Sequence, residues 1–562
     1  MLKRFQKKAR FYSQAFAAAV SAGALGTFLD FLAYRVLGVR WARWKGHDFH
    51  RSSLFWFKEG DGIHTRAVFL LPRLRAEYPE LKTLDIRLEF YDESGKPVAT
   101  KEFKRLDVSR FFCIESDRLP AGFDIPKPFS GTLLVKQTLN LDDRTVFRKQ
   151  GLFHSTHTYL DYFAEGRFVT SLHDYSAYLP DQGVNGVALG MIPAYCDRDR
   201  ETFLIFHAVK PGIGPKDLRV TLYNQRGEKR TAFFPGLGPF AMRRVPLSEL
   251  FPDAVSFLVG QVGQVQVRGF LRQLLRRIAF GVQQRNDVSF SLDHCFYSDF
   301  ETPPPITAQA RTKMPKGSFS PFLIVENDRV TSSAIVYHSE NEPERTFDVL
   351  VYDEPGKCVL RSPREVHSSG NRVRRVDFRT LLEDHGVPVP FVGHAELVFH
   401  DDGRSPFHQT WIEHHVEYSV DGKLAHVIHG AEFWNSSERK PNPDYRSGNR
   451  IICNAAQTTY LAISNCSYDY DYDLEVHFRL NLLAGDGRVV ASGRFKIGPH
   501  ATIFKPIEYF FPNAAELLKS SNGVGVSVTT EINCDYLTHA FLTQDRRSGV
   551  LSVEHSLSMA GD

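Results

Sequence analysis

Three pairs of segments in this 562-residue chain recur at a single spacing. YDESGK (91–96) returns as YDEPGK (352–357), an offset of 261. GPFAMRRVPLSELFPDA (238–254) returns as GPHATIFKPIEYFFPNA (498–514), offset by 260, with seven of seventeen positions identical. AFGVQQRNDVSFSLDHC (279–295) returns as AFLTQDRRSGVLSVEHS (540–556), again offset by 261. Three landmarks that agree on one spacing mean that a block of roughly 260 residues has been duplicated.

Each half divides again. The turn glycines Gly95, Gly227, Gly356 and Gly487 follow one another at intervals of 132, 129 and 131 residues. Each closes an apolar run that alternates at period two, as in LDIRLEFYDESG and FDVLVYDEPG. Such alternation ending at an Asp/Asn-rich glycine turn is a strand entering a hairpin. Aromatic enrichment (45 Phe and 21 Tyr) with 40 Gly and 30 Pro favours strands joined by turns. The expected fold is mainly β: four tandem antiparallel β-sandwich modules in an ABAB order, preceded by an N-terminal helix. The expected boundaries are 1–45 for the leader, then modules at 46–165, 166–300, 307–434 and 445–562. Pro-rich stretches ETPPPITAQ (301–309) and SSERKPNPDYRSGN (436–449) mark two of these boundaries.

Seven scattered cysteines form no C-x-x-C pair, which argues against a disulfide framework or a zinc ribbon and for reduced thiols. Within a total charge of +4, residues 1–45 carry nine Lys/Arg against Asp30 alone. The body is therefore slightly acidic, which argues against nucleic-acid binding. In the leader, MLKRFQKKAR precedes an uncharged run from Phe11 to Leu29. Three readings stand open: an amphipathic helix on an anionic membrane, with Lys3, Arg4, Lys7, Lys8 and Arg10 at the headgroups; a helix packed on the body; or a signal peptide cleaved near Ala22-Gly23-Ala24. The expected location is cytoplasmic, peripheral on the membrane in the first case and secreted in the third.

Every module ends near a histidine: His157, His294, His429 and His555, spaced 137, 135 and 126 residues apart. An acid precedes the histidine only in SLDHC and SVEHS, and strand neighbours point to opposite faces, so Glu554 and His555 do not form a catalytic pair. The four histidines are read as packing or ligand residues that converge if the modules form a ring. No G-x-S-x-G elbow or phosphate loop occurs. WIEHHVEY (411–418) puts Glu413, His415 and Glu417 on one strand face, a metal candidate whose plainer reading is a solvated outer face. RGFLRQLLRRIAF (268–280) spaces Arg268, Arg272 and Arg276 as on one face of a short helix, a second basic contact for a membrane or an acidic partner. YDYDYD (468–473) reads as an exposed loop before a strand.

The segments DLEVHFRLNLLAGDGRV, GPFAMRRVPLSEL and the last strand near SVEHSLS resemble the sensory rhodopsin transducer family of small β-sandwich proteins. The resemblance covers modules two and four best and the leader not at all. It implies a sandwich fold, no catalytic residues and a tetramer-like assembly that four tandem modules would reproduce within one chain. The expected function is therefore non-enzymatic binding of a protein or small ligand, without a cofactor; the rival is a carbohydrate-active or metal-dependent enzyme on the same scaffold.

Overall fold

The computed structural model describes residues 51–71, 81–118, 125–140, 158–173, 186–209, 212–271, 278–298, 317–337, 345–368, 373–400, 414–430, 445, 447–467, 471–534, 537–555 and 557–558. The leader, with Lys3, Arg4, Lys7, Lys8 and Arg10, lies outside the described residues, as do His157, Arg272, Arg276 and Glu413.

The protein is mainly β, built from repeated, sandwich-like antiparallel sheets. Unit one contains β1 (Arg51–Glu59), β2 (Ile63–Phe69), β3 (Thr83–Asp92), β4 (Pro97–Asp107), β5 (Phe112–Glu115), β6 (Phe129–Leu139), β7 (Thr158–Ala164) and β8 (Arg167–His173). Its two sheets run β1-β6-β3-β4 and β5-β2-β7-β8. The strands within 186–298, 317–429 and 447–558, here units two to four, repeat both orders when each is counted from its own first strand. Units two and four each add a ninth strand beside the first, Phe296–Ser298 and Leu557–Ser558.

Alternation works as the sequence implies. In β3, Leu84, Ile86, Leu88 and Phe90 are buried between the sheets while Arg87 is exposed. Each such side chain contributes about 1.5–3 kcal/mol by leaving water. The turn after β3 needs glycine: Gly95 has φ +87°, and its amide donates to Asp92 O at 2.9 Å.

Two sequence landmarks prove to be opposite sides of one contact. A Cβ on Gly95 would sit 2.2 Å from Pro239 O, and one on Gly356 would sit 2.2 Å from Pro499 O. Tyr91 stacks on Phe240 at 4.6 Å, and Tyr352 stacks on His500 at 4.5 Å. YDESGK thus docks on GPFA, and YDEPGK on GPHA. Units one and two also share a core, where Trp56 packs against Phe203 and Phe290. Units three and four share another, which joins Val416 to Leu542 and Val553.

The pairs close into a ring. Unit two meets unit three through Phe280, Tyr337 and His415. Unit four meets unit one where Val68, Leu70 and Tyr159 pack on Val524 and Val526.

Three expectations are corrected. Arg268 lies inside strand Gly263–Leu271, paired with Arg219 and Leu189, and Ala279 opens the next strand, so 268–280 is not one helix. Hydrogen bonding to both neighbours outweighs the local helical spacing. The first sandwich runs past 165, because β8 pairs with β7. The strand His414–Val420 is buried along its whole length rather than solvated on one face, since unit two covers the face that carries His415 and Glu417. Among the described residues, no helix is long and apolar enough to cross a membrane.

Candidate metal centre at the ring axis

The last strand of each unit's second sheet is an edge strand: β8, Phe290–His294, Lys423–His429 and Leu551–His555. An edge leaves backbone groups without ladder partners, and here each edge is covered by the next closing strand. The amide of Ser171 donates to Ser552 Oγ at 3.1 Å, that of Leu292 to Thr170 Oγ1 at 3.1 Å, and that of His429 to Asp293 Oδ2 at 2.6 Å. The fourth contact hydrogen-bonds His426 to the backbone of Val553. The four edges therefore interlock around a common axis.

Each closing strand ends in a histidine, and the four rings meet there. Ring centres of His173 and His294 are 4.7 Å apart, of His294 and His429 4.2 Å, of His429 and His555 4.6 Å, and of His555 and His173 4.9 Å. His294, His429 and His555 are three of the histidines singled out by period. The fourth member is His173, whereas His157 lies outside the described residues. A signal for His173 was present in the sequence. AEGRFVTSLH (164–173) matches VDGKLAHVIH (420–429), with each glycine seven residues before its histidine. Both turns take positive φ at two successive residues, Glu165-Gly166 and Asp421-Gly422, as a two-residue hairpin requires. Alignment by hairpin turn rather than by mean period selects His173.

Hydrogen bonds orient the rings. Glu554 Oε2 lies 2.7 Å from His173 Nδ1, and Asp293 lies 3.0 Å from His429 Nδ1. The acids of units two and four thus serve the histidines of units one and three. His294 Nδ1 lies 3.3 Å from the carbonyl of Cys295, which can only accept. With Glu554 ionised, Nδ1 of His173 donates to it. The lone pair of His173 Nε2 then faces His294 Nε2 across 2.9 Å, where it can accept a hydrogen bond. Burial pushes the Glu554 and Asp293 carboxyls up; His173 pulls Glu554 back down, and nearby histidines pull Asp293 down.

The ligand atoms of His173, His294 and His555 lie within 4.8 Å of one another, as do those of Asp293, His294 and His429. Imidazole nitrogens suit zinc and its first-row neighbours, and a carboxylate on the far nitrogen is the usual support for a metal-binding ring. A cavity of about 50 Å³ lies beside His429 and His555, lined also by Gly430 and His539. It has room for a water or an ion but not for a sugar.

The strand candidates lie elsewhere. His415 is buried against Phe280 and Tyr337, and burial pushes it down to about 3. Glu417 takes a hydrogen bond from Tyr195 Oη at 2.7 Å across the boundary between units two and three, and one from Arg375 of its own unit at 3.2 Å. At the matching place in unit one, Asp161 pairs with Arg66 at 2.7 Å and with Arg450 of unit four. The two acids serve as equivalent ring-closing contacts.

No family model matches the chain, and no curated protein matches it.

Proposed function

We propose that this chain is a non-enzymatic binding protein whose four β-sandwich modules, duplicated as ABAB, close around one divalent transition-metal ion. His173, His294, His429 and His555 are its ligands, and Glu554 and Asp293 orient two of them. One observation supports the reading: ligand atoms of His173, His294 and His555 converge within 4.8 Å of one another, and those of Asp293, His294 and His429 do the same beside them. A tetrahedral zinc-type ion would draw on all four rings, with nitrogens spread to roughly 3.3 Å.

The ABAB order is supported by the sheet orders, by the ninth strands of units two and four, and by the paired Gly95 and Gly356 contacts. A ring of four sandwiches within one chain also fits the resemblance to sensory rhodopsin transducers, whose members are tetramers. The basic leader would dock this slightly acidic ring on an anionic membrane or acidic partner. The proposed metal departs from the expectation of no cofactor. It is tested by elemental analysis of wild type and of His294→Ala/His555→Ala after equilibration with Zn2+. The double variant should hold one ion fewer per chain; equal counts would sink the proposal.

A further inference from the structure

The duplication supplies its own control for a second buried cluster. Strand FVGHAELVFH (391–400) of unit three corresponds to FSGTLLVKQT (129–138) of unit one, so His394 stands where unit one has Thr132, and Glu396 where it has Leu134. In unit four, Cys466 corresponds to Val209 of unit two and His500 to Phe240, because the pairing registers match: His207 with Met242, Ser464 with Thr502. Between units one and two these places form an apolar patch of Leu134, Val209 and Phe240. Between units three and four the same patch holds Glu396, Cys466 and His500, with His394 beside them. Apolar packing in one copy has been replaced by metal-ligating chemistry in the other.

The geometry is that of a donor set. His394 Nε2 lies 3.3 Å from Glu396 Oε1, and His500 Nδ1 lies 3.9 Å from the same oxygen. The ligand atoms of His394, Glu396 and Cys466 fall within 4.8 Å of one another, and all three residues are buried. His394 Nδ1 lies 2.9 Å from Thr502 Oγ1, which lies 2.9 Å from Ser464 Oγ. That chain fixes the ring and leaves Nε2 directed at the cluster. Tyr352 stacks on both imidazoles, at 5.0 Å and 4.5 Å. Glu396 is fully buried, and its Oε2 has no hydrogen-bond partner. A wholly buried carboxyl oxygen left unpaired is costly, and a bound cation would remove that cost.

We infer that His394, Glu396, Cys466 and His500 form a second site for a zinc-type divalent ion, which staples unit three to unit four. Two imidazoles, a carboxylate and a thiolate complete a four-coordinate set with no open position, as in structural sites. Binding releases the Cys466 proton to solvent, so the ligand is the thiolate. The site lies inside the contact between units three and four, so the ion enters before the two units close.

This inference does not depend on the axial centre, and the experiment separates them, because only this site offers sulfur. Full-length protein would be produced in zinc-depleted medium supplemented with Co2+, so that the ion is present as the chain folds, and its absorption recorded. A thiolate-to-cobalt charge-transfer band is expected in wild type and in His294→Ala/His555→Ala. It should vanish in Cys466→Ser and in Glu396→Leu/Cys466→Val. The second of these installs the residues of the sister contact, so it retains packing while losing ligands. Elemental analysis should fall by one ion per chain in both variants. No band in wild type at saturating Co2+, or a band that survives Cys466→Ser, would overturn the inference.

Discussion

His173 Nε2 and His294 Nε2, from units one and two, face each other at 2.9 Å on the ring axis. Both rings are held in place from behind, by Glu554 and by the Cys295 carbonyl. An acid in unit four thereby aims a histidine in unit one. The centre exists only when all four units are in place.

Removal of the carboxylate behind a ligand should loosen the metal without deleting it. Glu554→Gln is expected to weaken Zn2+ affinity by about 10–100-fold, as loss of such a support generally does. Competition titration against a chelating dye checks this. Unchanged affinity would mean that His173 is not a ligand.

Metal should also hold the ring together. Chelation is expected to lower the Tm of wild type, because an ion bound only by the folded state stabilises it by mass action. The drop should shrink in His294→Ala/His555→Ala. Calorimetry with and without chelator reads both.

Asp161 sits between Arg66 and Arg450 at the contact that closes unit four on unit one. Burial pushes its carboxyl up, but the two guanidiniums prevail and hold it below the usual value of 3.8. Its stabilisation is therefore complete above that value and is lost as pH falls through the lower, folded value. Asp161→Ala leaves two buried arginines facing each other and should cost about 3–5 kcal/mol. Urea denaturation at neutral pH measures it.

His207 is buried between units one and two, 3.0 Å from Thr132 Oγ1, and burial drives it from 6.5 down to about 3. Between these values the unfolded chain binds a proton that the folded chain cannot, so stability falls as pH drops below 6.5. The loss should reach about 2 kcal/mol at pH 5 from this residue alone. His207→Gln should flatten the pH dependence of the urea midpoint; an unchanged slope would refute the assignment.

Gly95→Ala should uncouple units one and two. Its φ of +87° disfavours any Cβ, and that Cβ would meet Pro239 O at 2.2 Å. A loss of about 2 kcal/mol or more is expected. Unfolding should separate into two transitions when followed by Trp56 fluorescence and by far-UV dichroism. A single unshifted transition would count against the contact.

The amino-acid sequence by itself determined the strands, their turns and the recurrence of segments along the chain. Period-two alternation and turn glycines are local properties, and LDIRLEFYDESG needs no other part of the chain to read as a strand and hairpin. It also marked His294, His429 and His555 as equivalent. Tertiary structure decided what these residues meet. His173 escaped the period because loops of unequal length shift the count, while the hairpin turn beside it keeps true register. The strand at 414–420 reads as half-solvated because sequence shows only its own two faces, not the neighbouring unit that covers the second. The same holds for Glu554. Chain order puts it beside His555, but strand geometry turns it away, and ring closure brings it to His173, 381 residues distant.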